Sequence, residues 1–214
     1  MQSSINALKK RKNFMPFPHW QFFESLDDEL LSLSRIVDFD KENFSTHSVH
    51  LTRMYLSICS EIDVVAKLLC SRIASKEKAK TIDDYRSLIT DFYPKFPELK
   101  IVMPIHGLEF QPWIDWSLGI NPPWWTSHNK VKHERDKYYR DANLGNVLSS
   151  AAGLLIVLVY YHQPELSPYG SPLSFRRFKI MRFPHPYFTY MTAYPRNPKC
   201  KPEFQRHLRL PSCR

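Results

Sequence analysis

The amino-acid sequence predicts an all-α fold, an up-and-down helical bundle with a long Pro/Trp-rich loop and a basic C-terminal tail. Five glycines in 214 residues leave little material for tight hairpins. Between residues 47 and 76, apolar side chains recur at steps of three and four, the spacing of one helix face. Residues 142–161 contain no charge, which is typical of a buried helix. We expect three parts: an N-terminal irregular or short-helix segment (1–44), the helical bundle (45–169) and the tail (170–214).

The first two helices are predicted from their apolar spacing and from the residues that precede them. Residues 25–37 form a short amphipathic segment whose N-terminus is Ser25. A long helix follows over 47–76, and Ser45 or Thr46 can cap it. The apolar face of this helix consists of Leu51, Tyr55, Ile58, Ile62, Val65 and Leu69. We expect that face to form one side of the core.

A third helix and a long loop come next. Residues 81–93 open with a threonine and acidic residues, which indicates a capped helix, and Pro94 ends it. From residue 94 to residue 123 there are six prolines and two glycines, too many for a regular element. We predict that this loop is irregular and is held on the bundle by Trp113 and Trp116.

The last predicted helix starts near Trp124 and passes through a basic stretch. The pattern leaves open whether it continues unbroken to Tyr161 or bends near Gly145. Residues 142–161 also allow a membrane span, but their strongly apolar part, 151–161, is shorter than the roughly 20 residues that a span needs. We therefore favour a buried core helix.

The net charge of +9 lies in the tail. Residues 1–170 contain 20 basic and 20 acidic side chains, whereas residues 171–214 contain 10 basic side chains and one acidic one. Arg176, Arg177, Lys179 and Arg182 could follow a phosphate backbone, and a solubilising tail is the alternative. The charge alone therefore does not define a nucleic-acid surface on the bundle.

The cysteine spacing and the N-terminal sequence indicate in which compartment the protein lies and whether it binds a metal. Four cysteines show no zinc-ligand spacing, so we expect reduced thiols, a cytoplasmic protein, no metal and no cofactor. The first 15 residues carry four consecutive basic side chains but no apolar stretch after them, which argues against an ordinary secretory signal.

The basic stretch would place polar side chains on one side of a continuous helix. At about 100° per residue, this polar stripe consists of Asn129, Lys132, His133, Asp136, Arg140 and Asn143. It stays polar where the sequence becomes uncharged, and buried amides need partners. We therefore expect a second helix or a second subunit against this side, and a solvated surface is the alternative for the charged residues.

The segments "NKVKH" (129–133) and "SEIDVVAKLLC" (60–70) resemble parts of the HEPN domain, a helical-bundle family found in many prokaryotic defence and toxin ribonucleases. The segment "NKVKH" (129–133), preceded by Trp124 and Trp125 and followed by "NLGNVLSSAAGLLIVLVYY", is similar to the C-terminal half of such a domain. The segment "SEIDVVAKLLC" (60–70) resembles the long helix before the motif. The resemblance covers about residues 45–163 and implies a HEPN-like bundle.

The same resemblance implies a metal-independent endoribonuclease that acts in prokaryotic defence or as a toxin. His133 matches the catalytic histidine and Asn129 the polar residue of the motif, whereas His128 occupies the position of the usual arginine. RNA supplies its own 2′-OH nucleophile, so the reaction needs a base, an acid and a cation. A homodimer through the helix that carries Asn129 and His133 would supply two imidazoles to one groove.

Further side chains complete the predicted site. The side chains expected to bind RNA are Lys132, Arg135, Arg140 and His128. Glu61 is the expected support for His133. As alternatives, His133 is a structural histidine paired with Glu61 or Asp63, and Asp63 pairs with Lys67 at i, i+4. His128 could also cap the helix or face solvent.

Two other functions stay open at this point. The first is a non-catalytic HEPN-like module that binds RNA, a nucleotide or a protein, which the histidine in place of the arginine favours. The second is a membrane-associated protein in which residues 142–161 span the bilayer, although we expect no membrane contact. Besides RNA, a cognate antitoxin or regulator is a possible partner.

Overall fold

Two long helices, α2 (Val49–Ile73) and α6 (Leu144–His162), pack side by side at the centre of a mainly α-helical fold. The computed structural model describes residues 18–74, 79–162 and Met181. The other helices in that part of the chain are α1 (Pro18–Leu33), α3 (Ile82–Phe92), α4 (Pro123–His133) and α5 (Arg135–Tyr138). Strands β1 (Ile101–Met103) and β2 (Leu108–Phe110) form an antiparallel hairpin. The fold class is thus mainly α, with one small sheet.

Helix α2 has the apolar face that its sequence predicts. All six residues named for that face are at most 2% exposed, because they pack into the main hydrophobic core. The helix begins later than expected, since the cap is Ser48, whose hydroxyl accepts a hydrogen bond from the Leu51 amide at 3.1 Å. The prediction that Ser45 or Thr46 caps the helix was therefore wrong.

Helix α6 is surrounded by the other elements along most of its length. Every residue from 151 to 160 is buried. By length and composition α6 could cross a membrane, with a mean hydropathy of 1.7 over its most apolar window, but 78% of that window is buried inside the fold. This burial is what the core helix of a bundle shows.

Helix α1 begins at Pro18, seven residues before the predicted start at Ser25. Its side chains Trp20, Phe23 and Leu30 are buried in the same hydrophobic core as the central helices. The predicted start was wrong because Ser25, the expected N-cap, lies inside α1.

Helix α3 has the predicted bounds and cap. The Thr81 hydroxyl accepts a hydrogen bond from the Asp84 amide, and the Asp84 carboxylate accepts one from the Thr81 amide, which together form a capping box. The helix ends at Phe92, two residues before Pro94.

The segment between α3 and α4 is more regular than predicted. It contains the β1–β2 hairpin, in which Ile101 pairs with Phe110 and Met103 with Leu108. Gly107 supplies the left-handed backbone that the turn requires, with φ 64°. The expectation of a loop without regular elements was therefore wrong, because a single glycine at the right position is enough for this turn.

The expected anchoring of this segment by tryptophans is confirmed. Trp113 is fully buried and Trp116 is 4% exposed. The Trp113 Nε1 group donates to the Gly153 carbonyl of α6 at 3.2 Å, and the Trp124 Nε1 group donates to the Pro112 carbonyl at 2.8 Å. These bonds satisfy the polar atoms of two buried indoles.

The helix through the basic stretch is not continuous. Helix α4 ends at His133, and Glu134 (φ −135°, ψ 53°) separates it from the single turn of α5. Residues 139–141 form a 3-10 turn before α6 begins at Leu144. The predicted polar stripe therefore does not lie on one helix face. The alternative of an interruption near Gly145 is confirmed, because the helix resumes only at Leu144, whereas the break at Glu134 was not predicted.

The structure does not describe residues 163–180 and 182–214, which include all of the predicted tail except Met181. The first 17 residues also lie outside the described part of the chain. Arg176, Arg177, Lys179 and Arg182, which the sequence suggests as phosphate contacts, all lie outside the described residues. Met181 is described, and its side chain is fully buried in the hydrophobic core.

Candidate functional site

An open cleft of about 590 Å³ lies between α2, α4 and the start of α3. Its size is within the range of roughly 300–1,000 Å³ that small-molecule sites occupy. The side chains that give it polar or aromatic character are Ser60, Asp63 and Lys67 from α2, Lys80 and Thr81 before α3, and Trp125, His128, Asn129, Lys132 and Arg135 from α4 and α5. We call it the α2/α4 cleft.

The α2/α4 cleft is cationic. Among the described residues that line it, four are cations and one, Asp63, is a carboxylate, which leaves a formal charge of +3. Lys67 forms an ion pair with Asp63. Lys80, Lys132 and Arg135 form no ion pair with any residue of the described ranges. Unpaired cations around a concave surface attract anions and concentrate the field there.

Asp63 is held from two sides. One carboxylate oxygen, Oδ2, bonds to Lys67 one helical turn away, as the alternative for Asp63 predicts. The other oxygen, Oδ1, accepts a hydrogen bond at 2.7 Å from the hydroxyl of Tyr85, a fully buried residue of α3. Burial and the nearby Asp63 charge raise the pKa of Tyr85, so its hydroxyl stays protonated and donates.

The N-terminus of α3 opens on the cleft but is already occupied. The Asp84 carboxylate accepts from the Lys80 amide at 2.8 Å and from the Thr81 amide at 2.9 Å. These backbone hydrogen bonds lower the pKa of Asp84, which keeps it ionised. The side-chain cations that line the cleft without an ion-pair partner among the described residues are Lys80, Lys132 and Arg135.

His128 is a buried residue of the cleft wall, with 5% exposure. Its ring packs near Tyr55, at a centroid distance of 6.0 Å, and near Trp125, at 5.3 Å. Its Nδ1 atom has no hydrogen-bond partner among the described residues. Burial, assisted by the charge of Lys132, lowers the pKa of His128 to about 4, so the ring is neutral near pH 7. The suggestion that His128 caps the helix or faces solvent was wrong.

The other predicted site residues divide into two groups. Asn129, Lys132 and Arg135 line the cleft together with His128. His133 and Arg140 are exposed and lie outside the cleft lining. The structure thus brings together four of the side chains named from the sequence, and it leaves the predicted catalytic histidine beside them on the surface.

Glu61 does not support His133. Its Oε1 atom lies 2.6 Å from Nδ1 of His19 on α1, where the pair joins α1 to α2. The prediction that Glu61 orients His133 is corrected by this contact. Sequence spacing could not reveal it, because the two partners are 42 residues apart.

The amides that argued for a second subunit have partners within the chain. Asn143 Oδ1 accepts a hydrogen bond from the Asn146 backbone amide at 3.0 Å, and the Asn146 side chain donates to the Asp141 carbonyl at 2.8 Å. These bonds cap the first turn of α6. The polarity of Asn143 and Asn146 therefore gives no reason to place another copy of the chain there.

Nine of the residues that line the cleft were not predicted as site residues, and five of these nine are polar or charged: Ser60, Asp63, Lys67, Lys80 and Thr81. Lys80 precedes the cap of α3, and nothing in the local sequence links it to α4. Trp125 is 7% exposed, and it belongs to the core and also lines the cleft.

Comparison of the chain with protein-family models, with curated proteins and with solved structures finds no match. Within the described residues, no group of three or more His, Cys, Asp or Glu side chains is arranged to hold a metal ion. The candidate site is therefore defined by the geometry and charge of the cleft.

Proposed function

We propose that this chain is a HEPN-like module that binds single-stranded RNA, with a phosphate group of the strand held in the α2/α4 cleft. The observation that carries the proposal is the convergence of Lys80, Lys132 and Arg135, which have no ion-pair partner in the described part of the chain. Cations that neutralise phosphates supply most of the affinity of proteins for nucleic acids. Asn129, exposed in the cleft lining, adds an amide donor for a phosphate oxygen.

The proposal favours binding over catalysis within a single chain. General acid–base cleavage of RNA needs two groups that exchange protons near neutral pH. His128 is buried and has a pKa of about 4, which leaves it unprotonated at that pH. His133 is then the one imidazole of α4 that is exposed.

Binding is tested with a short fluorescent RNA and the full chain over a series of salt concentrations. The double variant Lys132→Ala/Arg135→Ala should bind at least about tenfold more weakly. The slope of the logarithm of its binding constant against the logarithm of the salt concentration should be shallower by about 1.4, because two single-strand phosphate contacts are lost. Lys95→Ala/Lys137→Ala is the matched control, because it also removes two exposed cations and both lie outside the cleft. Equal affinities for the parent chain and the double variant would contradict the proposal.

A second candidate function is the metal-independent ribonuclease. It is supported by the exposure of His133 on the helix that also presents Asn129 and Lys132. In this proposal two chains pair through α4, so that two copies of His133 provide the base and the acid, with Lys132, Arg135 and Arg140 near the phosphate. Such an enzyme would act in the cytoplasm, in defence or as a toxin, and a cognate antitoxin or regulator would restrain it.

The two functions are separated by product analysis in EDTA. The ribonuclease predicts cleavage of single-stranded RNA to a 2′,3′-cyclic phosphate, loss of that activity in His133→Ala, and a dimer in sedimentation. If the parent chain and His133→Ala show the same trace cleavage, the enzyme proposal fails while the binding proposal stands.

A further inference from the structure

Asp63 is the one carboxylate among the described residues that line the α2/α4 cleft, and it lies where an anion would meet Lys67. Asp63 and Lys67 are one turn apart on α2, both line the cleft, and their charged groups are in contact. The pair is partly open to solvent, with side-chain exposures of 34% and 44%. Lys67 is thus a cation of the cleft whose charge is already matched by a neighbour.

Asp63 has a second partner that Lys67 does not share. Its Oδ1 atom accepts a hydrogen bond from the buried hydroxyl of Tyr85, so the carboxylate keeps one strong bond even when Lys67 turns away. The same hydroxyl lies 3.2 Å from the carbonyl oxygen of Lys80, the residue before the α3 cap. The carboxylate is therefore retained at the wall of the cleft, whereas the lysine has a flexible side chain and can move.

We propose that Asp63 is the resident counter-ion of the cleft, which a bound phosphate replaces as the partner of Lys67, while Tyr85 retains Asp63 at the wall. This inference rests on the proposed binding of phosphate in the cleft. It assigns Lys67 as a fourth phosphate-binding residue and Tyr85 as a positioning residue. Until a phosphate replaces it, Asp63 cancels the charge of Lys67 and so lowers the attraction of the cleft for anions. The cleft therefore discriminates against weakly charged anions.

The exchange has a consequence for salt dependence. When a phosphate replaces Asp63 as the partner of Lys67, the Asp63 carboxylate binds a salt cation from the solvent. This uptake offsets the salt cation that the RNA phosphate releases when it binds Lys67. Removing the carboxylate charge ends this offset. Asp63→Asn should therefore bind RNA about fivefold more tightly, since the repulsion between the carboxylate and the phosphate at a few ångströms disappears. The slope of the logarithm of the binding constant against the logarithm of the salt concentration should be steeper by about 0.7.

Glu109→Gln is the control for a change in overall charge. Glu109 pairs with Lys100 at 2.6 Å on the β1–β2 hairpin, outside the cleft, and its substitution alters the net charge by the same amount. The inference expects a clear increase in affinity for Asp63→Asn and none of comparable size for Glu109→Gln. Equal increases in the two variants would mean that only net charge matters, and the inference would fail.

Lys67→Met gives the complementary result. With the lysine gone, Asp63 stays in the cleft as an unpaired carboxylate, so RNA affinity should fall about fivefold. The double variant Asp63→Asn/Lys67→Met removes both charges and should bind with nearly the affinity of the parent chain. Unchanged binding in Lys67→Met, or a double variant as weak as Lys67→Met, would overturn the assignment.

The series is run with two probes, the short RNA and inorganic pyrophosphate, and the folding of each variant is checked by urea denaturation. If pyrophosphate binding responds to the variants as described and RNA does not bind, the counter-ion inference stands and the proposed RNA function fails. If RNA binding depends on Lys132 and Arg135 but not on Asp63 or Lys67, the RNA function stands and the inference fails.

Discussion

The hydroxyl of Tyr85 donates a 2.7 Å hydrogen bond to the Asp63 carboxylate, which joins the start of α3 to the middle of α2. This bond positions one wall of the α2/α4 cleft against the other. It also places a buried neutral donor behind Asp63, the one carboxylate among the described residues that line the cleft.

Tyr85→Phe should weaken both the fold and the cleft. A buried hydrogen bond to a charged group is lost, so the free energy of unfolding should fall by roughly 1–3 kcal/mol in urea denaturation. Asp63 would then be free to turn toward a bound phosphate, so RNA affinity should fall as well. The variant Tyr85→Phe/Asp63→Asn should bind like Asp63→Asn. An unchanged urea midpoint together with unchanged affinity would show that the bond does neither.

The chain should lose stability in mild acid. Burial lowers the pKa of His128 and of His162 to about 4, so in the range between about 4 and 6.5 the unfolded chain binds more protons than the folded one. The stability from these two neutral rings is therefore complete above about pH 6.5 and is lost as the pH falls toward 4. A full shift of this size corresponds to on the order of 3 kcal/mol for each histidine.

The measurement for this effect is urea denaturation near pH 7 and near pH 5. His128→Phe keeps an aromatic ring against Tyr55 and Trp125 but cannot take up a proton, so it should show a smaller loss of stability with pH than the parent chain. The same pH dependence in both proteins would contradict the assignment of the acid sensitivity to His128.

The sequence predicts the central helices well because their signal is local. The spacing of the α2 face and the capping box of α3 are properties of neighbouring residues, and both are confirmed. The break between α4 and α6 has a tertiary cause. The Leu144 amide donates to the Thr46 carbonyl at 2.8 Å, and the Gly145 amide to the Phe44 carbonyl at 3.0 Å, so the chain before α2 competes with a continuous helix.

Only those parts of the site that depend on neighbouring residues could be predicted from the sequence. Asn129 and Lys132 are one turn apart on α4, and the sequence is sufficient to group them. The burial of His128 depends on Tyr55 from α2, and the position of Lys80 depends on the packing of α3, so neither follows from local pattern. The His19–Glu61 pair likewise needs the docking of α1, which sequence periodicity does not describe.

Gly153→Ala should destabilise the core. A Cβ atom at Gly153 would lie 3.3 Å from Cζ2 of Trp124 and 3.4 Å from Cζ2 of Trp113. Both indoles are buried and hydrogen-bonded, so they cannot move aside easily. The gain of about 1 kcal/mol in helix propensity is smaller than an overpacking cost of roughly 1–3 kcal/mol, so we expect a net loss of about 1 kcal/mol.

Urea denaturation of Gly153→Ala beside Ser149→Ala provides the comparison, since Ser149 is a half-buried residue on the same helix. The serine variant should stay within about 0.5 kcal/mol of the parent chain. A glycine variant at least as stable as the parent would mean that the indole cluster has room to adjust.

Glu61→Gln should separate stability from binding. The substitution weakens the contact with His19 that joins α1 to α2, so the free energy of unfolding should fall by about 1 kcal/mol. RNA affinity should change no more than it does in Glu109→Gln. A change in RNA affinity larger than that of Glu109→Gln would instead show that Glu61 contributes to the binding site.

The central claim is that RNA phosphate binds in the α2/α4 cleft, and amide chemical shifts of the isotope-labelled chain test it most directly. On addition of a short single-stranded RNA, the account predicts that the largest shifts fall at Ser60, Thr81, Asn129 and Lys132, from three elements that meet only at the cleft. The Lys132→Ala/Arg135→Ala variant should lose these shifts. Shifts confined to the β1–β2 hairpin, or no shifts at saturating RNA, would contradict the claim.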